Sequence, residues 1–292
     1  MIIVKLMGGV GNQMFQYAAA RSLSLRIKTS LKLDLSFLEG DQVGNTPRKF
    51  ALDHFAIDAV KASRRETALM TGQGANLPEN LIAWGLRKAR RRGAYRENQF
   101  QVNPVFFSLP NNVHLQGYWQ SEQYFADFSD TIRQEFTVQT PLSGKNLELA
   151  EEILSVNAVS LHVRRGDYVA DETTRAMHDV CDAAYYSRAE ELATQGLDAP
   201  RVFVFSDDPE WVIDNLQLRH PVRYVCHNGS MPHEDLRLMS LCRRHVIANS
   251  SFSWWGAWLS SAPDKLVVAP RRWFNDSSID TGDLTPSGWF RI

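Results

Sequence analysis

Cysteine, long apolar runs and an excess of either charge are all scarce in this sequence. Its three cysteines, Cys181, Cys226 and Cys242, form no Cys-x-x-Cys pair and no metal-ligand spacing. So sparse and odd a set excludes a disulfide-stapled scaffold and suits a reducing compartment. No stretch of about 18 apolar residues occurs, so no membrane-spanning helix is expected. Met1 leads into Ile-Ile-Val-Lys-Leu and then into glycines, too short an apolar run for a secretory leader. Lys plus Arg number 32 and Asp plus Glu 33, for a formal net charge of −1. That balance leaves no whole-chain footprint for nucleic acid, and no such partner is expected. The expectation is a soluble, cytoplasmic protein. Two chemical signatures are missing as well. There is no Asp-x-Asp to hold a divalent metal and no Gly-x-Ser-x-Gly elbow to expose a nucleophilic serine.

What is present fits an α/β protein. With 292 residues, 44% of them hydrophobic, the chain can build one large domain or two of roughly 150 residues each. Ile2 to Met7 reads as a buried strand, Gly8-Gly9-Val10-Gly11-Asn12-Gln13 as a tight loop, and Met14 to Arg26 as a helix. Leu31 to Leu35 follows as a second strand. A β-loop-α-β unit of this kind favours a parallel sheet. The loop invites comparison with the dinucleotide fingerprint Gly-x-Gly-x-x-Gly, with Asp34 about 20 residues on. Met14 stands where the third glycine belongs, which weighs against an NAD-linked oxidoreductase but keeps it as an alternative. Asn12 and Gln13 at a helix N-terminus can instead offer amide donors to an anion or a sugar hydroxyl.

From residue 40 to 115 the pattern is weaker, with short helical pieces expected over Leu52–Val60 and Ser63–Met70. Residues 87–96 carry six basic side chains: Arg87, Lys88, Arg90, Arg91, Arg92 and Arg96. They read either as a solvated face or as a peripheral contact with anionic lipid or a phosphorylated acceptor. Val113 to Gln120 then alternates into Tyr118 and Trp119. This aromatic pair fits stacking on a sugar ring or a place in the core, and both readings stand.

The second half alternates strand and helix. Strands are expected at Val159–Arg164, Val202–Ser206, Val222–Cys226, Val246–Ala248 and Leu266–Ala269, with helices over Ala183–Leu192, Trp211–Leu216 and Pro232–Cys242. The architecture is therefore paired α/β domains, 1–150 and 151–292, around a cleft. Ligands of parallel sheets bind beyond the carboxyl ends of the strands. Those ends read Arg164-Arg165-Gly166-Asp167, Ser206-Asp207-Asp208, His227-Asn228-Gly229 and Asn249-Ser250-Ser251-Phe252-Ser253. Arginines and hydroxyls hold phosphates, and an aspartate accepts a base's N–H groups, so together these are the parts of a nucleotide-diphosphate site. For the arginines alone, a loop braced by an Arg–Asp salt bridge is the competing reading. With Asp-x-Asp missing, Arg164 and Arg165 are left to meet the charge of a departing diphosphate.

Five segments then resemble one family. Gly8-Gly-Val-Gly-Asn-Gln-Met-Phe-Gln-Tyr-Ala18, Leu115-Gln-Gly-Tyr-Trp-Gln-Ser121, His162-Val-Arg-Arg-Gly-Asp-Tyr168, Phe205-Ser-Asp-Asp-Pro209 and Ile247-Ala-Asn-Ser-Ser-Phe-Ser-Trp-Trp-Gly-Ala-Trp258 are similar to the motifs of bacterial α-1,2-fucosyltransferases, glycosyltransferase family 11. The resemblance implies a GT-B architecture, two Rossmann-like domains facing across a cleft. It implies a GDP-β-L-fucose donor, a terminal β-galactose acceptor, inversion at the anomeric carbon, and no metal or cofactor. The first half would hold the acceptor and the second half the GDP. Arg164, with Arg165, would contact the diphosphate, and His162 and Asp167 would shape that loop. Asp207 or Asp208 would sit near guanine, with Asn249, Ser250, Ser251 and Ser253 near phosphate or ribose. Asn12 would reach across the cleft toward phosphate or fucose, and Gln13, Tyr118 and Trp119 would meet the acceptor. The general base is not identified by the motifs; Asp34, at the end of the second strand, is a candidate, with a loop-turn role as its alternative. A non-catalytic reading also exists: a carbohydrate-binding protein using Tyr118, Trp119 and the Trp254–Trp258 cluster.

Overall fold

Every described strand pair in this protein is parallel. The computed structural model describes residues 1–42, 46–71, 93–165 and 180–292. They form two compact units, Met1–Thr137 and Val138–Ile292. The division falls ahead of residue 150 because the helix Gly144–Ser155 bonds into the second unit, where Asn146 joins His227 and Asn228.

In the first unit the sheet runs β3-β2-β1-β5-β4. Its strands are β1 (Ile2–Lys5), β2 (Leu31–Asp34), β3 (Val60–Lys61), β4 (Ala94–Arg96) and β5 (Val113–Gln116). The chain moves outward from β1 through β2 to β3, then enters the other arm at the edge strand β4 and returns to β5 beside β1. The order therefore reverses between β1 and β5, the place where an open α/β sheet leaves a crevice. Helix α1 spans Val10–Arg26, beginning ahead of the expected Met14. Gly8 makes the whole turn at φ +75°, where an added Cβ would lie 2.7 Å from Asn12 Nδ2. Gly9 is the N-cap, so Gly11, Asn12 and Gln13 belong to the helix rather than to a loop.

The expected helix over Leu52–Val60 is not formed. Its backbone bonds outward instead: the Tyr17 hydroxyl accepts from the Asp58 amide, and the Ala56 amide donates to Thr137. Non-local partners override the local periodicity here. Helix α2 (Ser36–Glu39), α3 (Arg64–Thr71) and α4 (Ser129–Glu135) complete the unit's α-helices among the described residues. Tyr17 and Arg21 on α1 both bond Glu135 on α4, locking the two helices together.

The second unit begins with α5 (Gly144–Ser155), and its sheet runs β11-β10-β9-β6-β7-β8. The strands are β6 (Ala158–Val163), β7 (Arg201–Ser206), β8 (Val222–Val225), β9 (Arg244–Val246), β10 (Leu266–Ala269) and β11 (Phe290–Arg291). Both faces of β6 are buried, as a central parallel strand requires. One face carries Val159, Leu161 and Val163, which pack with Val202, Val204 and Val246 under Tyr186 and Ala189 of α6 (Ala183–Thr194). The other carries Ser160 and His162; Ser160 Oγ lies 2.8 Å from His245 Nδ1 on β9. Helix α7 is Pro209–Asn215, α8 is Pro232–Leu241 and α9 is Ser251–Leu259. Gly256 lets α9 approach α8, since a Cβ there would sit 3.0 Å from Met239. Trp254 and Trp255 are fully buried and Trp258 is nearly so. Each such ring removes on the order of 200 Å² from water, roughly 5 kcal/mol of transfer free energy. These rings are core, which removes the Trp254–Trp258 cluster as a sugar-binding surface.

Candidate active site

In the second unit the strand order reverses between β6 and β9, and the expected polar residues sit at that rim. Arg164 and Arg165 leave β6 and meet the end of β7. Arg164 Nη1 lies 2.5 Å from Asp207, whose other oxygen accepts the Arg165 amide at 2.9 Å. The Arg165 guanidinium lies 3.8 Å above the Trp211 ring, with its Nε 3.4 Å from Asp208. Asp208 also caps α7, accepting from the Trp211 amide, and Pro209 at the first helical position suits that start. The arginines are thus salt-bridged, but to the aspartates of the next strand. Asp167 lies outside the described residues. Of the two readings of this stretch, the Arg–Asp salt bridge is the one observed, with both guanidiniums held at a strand end.

The N-terminus of α9 completes the same rim from the β9 side. Ser250 caps it by accepting from the Phe252 amide, and the half-buried Ser251 follows as the first helical residue. The first-turn N–H groups and the helix dipole give this end a positive partial charge. Two expected donor contacts lie behind it instead. Ser253 is buried and donates to the Ser250 carbonyl, while Asn249 donates to the Trp273 carbonyl. Burial takes both side chains into the support of the turn. His162 is also buried, 5.4 Å ring to ring from Phe252, and its Nδ1 has no partner among the described residues. Burial first, and then the Arg164 charge, push its pKa down to about 4, against an opposing pull from Asp207. It is a neutral imidazole braced against the rim.

In the first unit, the switch between β1 and β5 brings Asn12 and Gln120 together, with Gln120 Nε2 donating to Asn12 Oδ1 at 2.7 Å. Tyr118, two residues ahead of Gln120, is 41% exposed. Gln13 and Trp119 do not fit the acceptor role expected of them. Gln13 is fully buried; its Nε2 donates to the Gly8 and Lys49 carbonyls, and its Oε1 accepts from the Ala51 amide. Those bonds staple the 49–51 segment to the glycine turn. Trp119 is fully buried among Tyr95, Phe106 and Tyr124. Of its two sequence readings, core is the one found. Asp34 is likewise a poor general base. One oxygen lies 2.9 Å from His114 Nε2 and the other accepts from the Ser36 amide. Burial works to raise this carboxyl, but those bonds overcome it and its pKa is lowered.

Trp211 and Glu97 also stand at these strand ends, though no motif names them. The Asp208-Pro209 helix start was a usable signal for the first, since a cap places the residue three positions on back over the strand end. Glu97 had no motif to mark it; it follows β4, where the Tyr118 amide donates to its carboxylate. Among the described residues no three His, Cys, Asp or Glu side chains are grouped to hold a metal ion. No helix among them is long and apolar enough to cross a membrane. Of the basic stretch, Arg96 is exposed on β4, and Arg87, Lys88, Arg90, Arg91 and Arg92 lie outside the described residues.

The chain is 32% identical to an alpha-1,2-colitosyltransferase of Escherichia coli, over 100% of this chain and 98% of that one. It is 33% identical to the O-antigen biosynthesis glycosyltransferase WbnK of Escherichia coli, over 98% and 99% of the two chains. Its fold matches the fucosyltransferase NodZ from Bradyrhizobium at a TM-score of 0.50, with 15% identity over 88% of this chain and 91% of that one; NodZ has also been crystallised with GDP. The fold is α/β with two parallel sheets, of the GT-B type. Residues 94–292 match the model of glycosyl transferase family 11, and the chain belongs to that family.

Proposed function

We propose that this protein is an inverting, metal-independent transferase moving L-fucose from GDP-β-L-fucose to the 2-hydroxyl of a terminal β-galactose. The observation that carries this reading is the rim at the β6–β9 switch, where Arg164, Arg165 and the α9 N-terminus converge. Fixed cations and N–H dipoles of that kind suit a diphosphate, and the GDP complex of the NodZ fold supports the same use.

In the proposed step the galactose oxygen forms a bond to fucose C1 as the bond from C1 to the β-phosphate oxygen breaks. The electron pair leaves with GDP, and the hydroxyl proton passes to a base. Arg164 stabilises the charge that grows on the β-phosphate, an interaction stronger in the transition state than in the ground state. Asn12 offers its Nδ2 from the first unit toward phosphate or fucose. Asp207 or Asp208 faces guanine, and Ser250 and Ser251 face phosphate or ribose. The first unit holds the acceptor and the second the GDP. The place of the reaction is surface-polysaccharide or O-antigen synthesis, a reading supported by the WbnK relative.

The test is incubation of GDP-fucose with a panel of β-galactosides, with GDP release and product linkage measured, with and without a chelator. An α-1,2-linked product insensitive to the chelator is expected; no transfer to any β-galactoside would sink the proposal. The colitosyltransferase relative favours a second reading for the donor sugar alone. GDP-colitose assayed beside GDP-fucose separates the two by kcat/KM.

A further inference from the structure

We propose that Glu97 is a positioning residue that builds the acceptor-side rim of the first unit and so sets affinity for the acceptor. This rests on the assignment of the first unit to the acceptor. Glu97 follows β4 directly and continues its pairing, donating its amide to the Gln116 carbonyl at 2.9 Å. Its carboxylate then turns over the end of β5. Oε2 accepts from the Tyr118 amide at 2.6 Å and Oε1 from the Trp119 amide at 3.1 Å. Consecutive amides gripped by one carboxylate fix the direction of the chain between them.

Two local features depend on that grip. Gly117 lies so close to Glu97 that an added Cβ would stand 2.4 Å from the glutamate Cβ, so only glycine admits the carboxylate there. Trp119 holds φ +55°, a left-handed conformation that strains a bulky residue and needs its surroundings to enforce it. With the turn so held, the Trp119 ring is driven into the aromatic core, Tyr118 faces outward, and Gln120 reaches Asn12. All three results lie at the carboxyl ends of β1 and β5, where the strand order reverses. Burial raises the pKa of this carboxyl against the pull of the two amides, a cost a surface turn would avoid by using water. The ring side of the turn has its own aromatic contacts, so what the carboxylate adds is the placement of the exposed side.

The test uses the full chain carrying Glu97→Gln and, separately, Gly117→Ala. In the first variant the new side-chain NH2 would face one of the two backbone N–H groups with a second donor, breaking the grip without changing size. Acceptor KM should rise roughly tenfold in each variant, the scale of one unsatisfied buried donor. kcat and GDP-fucose KM should stay near wild type, while the unfolding temperature should drop by a few degrees in Glu97→Gln and further in Gly117→Ala, whose new Cβ must displace Glu97. Hydrogen exchange at the Tyr118 and Trp119 amides should accelerate, and GDP binding should be retained. Unchanged exchange at those amides would overturn the rim assignment whatever the enzyme's substrate. Accelerated exchange with unchanged acceptor KM would overturn its role in affinity, as would a fall in kcat alone. A wild-type enzyme inert toward every β-galactoside would instead sink the proposed function, leaving the exchange result to judge Glu97.

Discussion

Asn12 and Gln120 are joined by one hydrogen bond, Gln120 Nε2 to Asn12 Oδ1, which ties the first turn of α1 to the end of β5. The bond uses the oxygen of Asn12 and leaves its Nδ2 as the end that can donate to a ligand. Asn12→Asp keeps an acceptor for Gln120 but puts a negative charge where that donor was, so its effect is at least that of losing the donor. Its kcat should fall by about 10²-fold or more, the usual loss for one preorganised donor to developing charge, with the melting temperature little changed. Steady-state kinetics on GDP-fucose check this, and near-normal turnover removes Asn12 from the chemistry.

Arg164 carries the larger expectation. Arg164→Ala should lower kcat by about 10²–10³-fold while the protein stays folded. Asp207 would lose its guanidinium partner but keep the Arg165 amide, so the loop retains one anchor. Arg164→Lys should fail nearly as badly, because a point charge cannot reproduce a planar fork of donors. A lysine variant within a few-fold of wild type would reduce the residue to a simple source of charge.

Trp119 tests the boundary between site and core. Packed fully inside Tyr95, Phe106 and Tyr124, it should cost about 3–5 kcal/mol of stability when cut to alanine. Tyr118→Ala, at an exposed neighbouring position, should cost little stability and act on acceptor KM instead. Denaturant melts of the two variants distinguish the roles; equal stabilities would put Trp119 back on the surface.

Acid should weaken the second unit. Burial depresses His162 to about 4 and His245 to about 3, with Arg164 and Lys265 adding to the effect and Asp207 opposing it at His162. Free histidine titrates near 6.5, so between pH 6.5 and 4 the unfolded chain takes up protons that the folded chain refuses. Stability is then full above about pH 6.5 and falls as pH drops toward 4. Asp235 works against this below about 6, since burial raises its carboxyl to that value and protonation favours the folded form. Two histidines against one aspartate leave a net loss on the order of one to a few kcal/mol by pH 4.5. Thermal melts from pH 7.5 to 4.5 measure it, and His245→Asn should flatten the slope. A flat wild-type profile would mean these imidazoles are solvated.

Much of the second unit was legible because strand ends and turn residues are local signals. Val-Ser-Leu-His-Val followed by Arg-Arg, or Phe-Ser followed by Asp-Asp-Pro, states a strand and its end in one line of sequence. What could not be read depends on distant partners. Gln13 looks like a helix-terminal donor until residues 49–51 close over it, and Leu52–Val60 reads as helix until Tyr17 and Thr137 claim its amides. Asp34 looked available as a base because nothing nearby in sequence announces His114. Trp119 was undecidable because an aromatic beside a glycine serves a core and a sugar equally well. Glu97 carries no pattern, and only the fold sets it under Tyr118.

The strand orders also govern how the chain must be assembled. The first strand made in each unit is an inner one: β1 lies between β2 and β5, and β6 between β9 and β7. During synthesis β1 keeps one hydrogen-bonding edge bare until residues 113–116 arrive, and β6 waits for 244–246. A nascent chain halted inside either interval presents an apolar edge that invites pairing with another chain. Slow folding is expected for the same reason, since long loops must close before the inner strands are satisfied. Demand for chaperones should therefore rise twice during translation, once for each sheet.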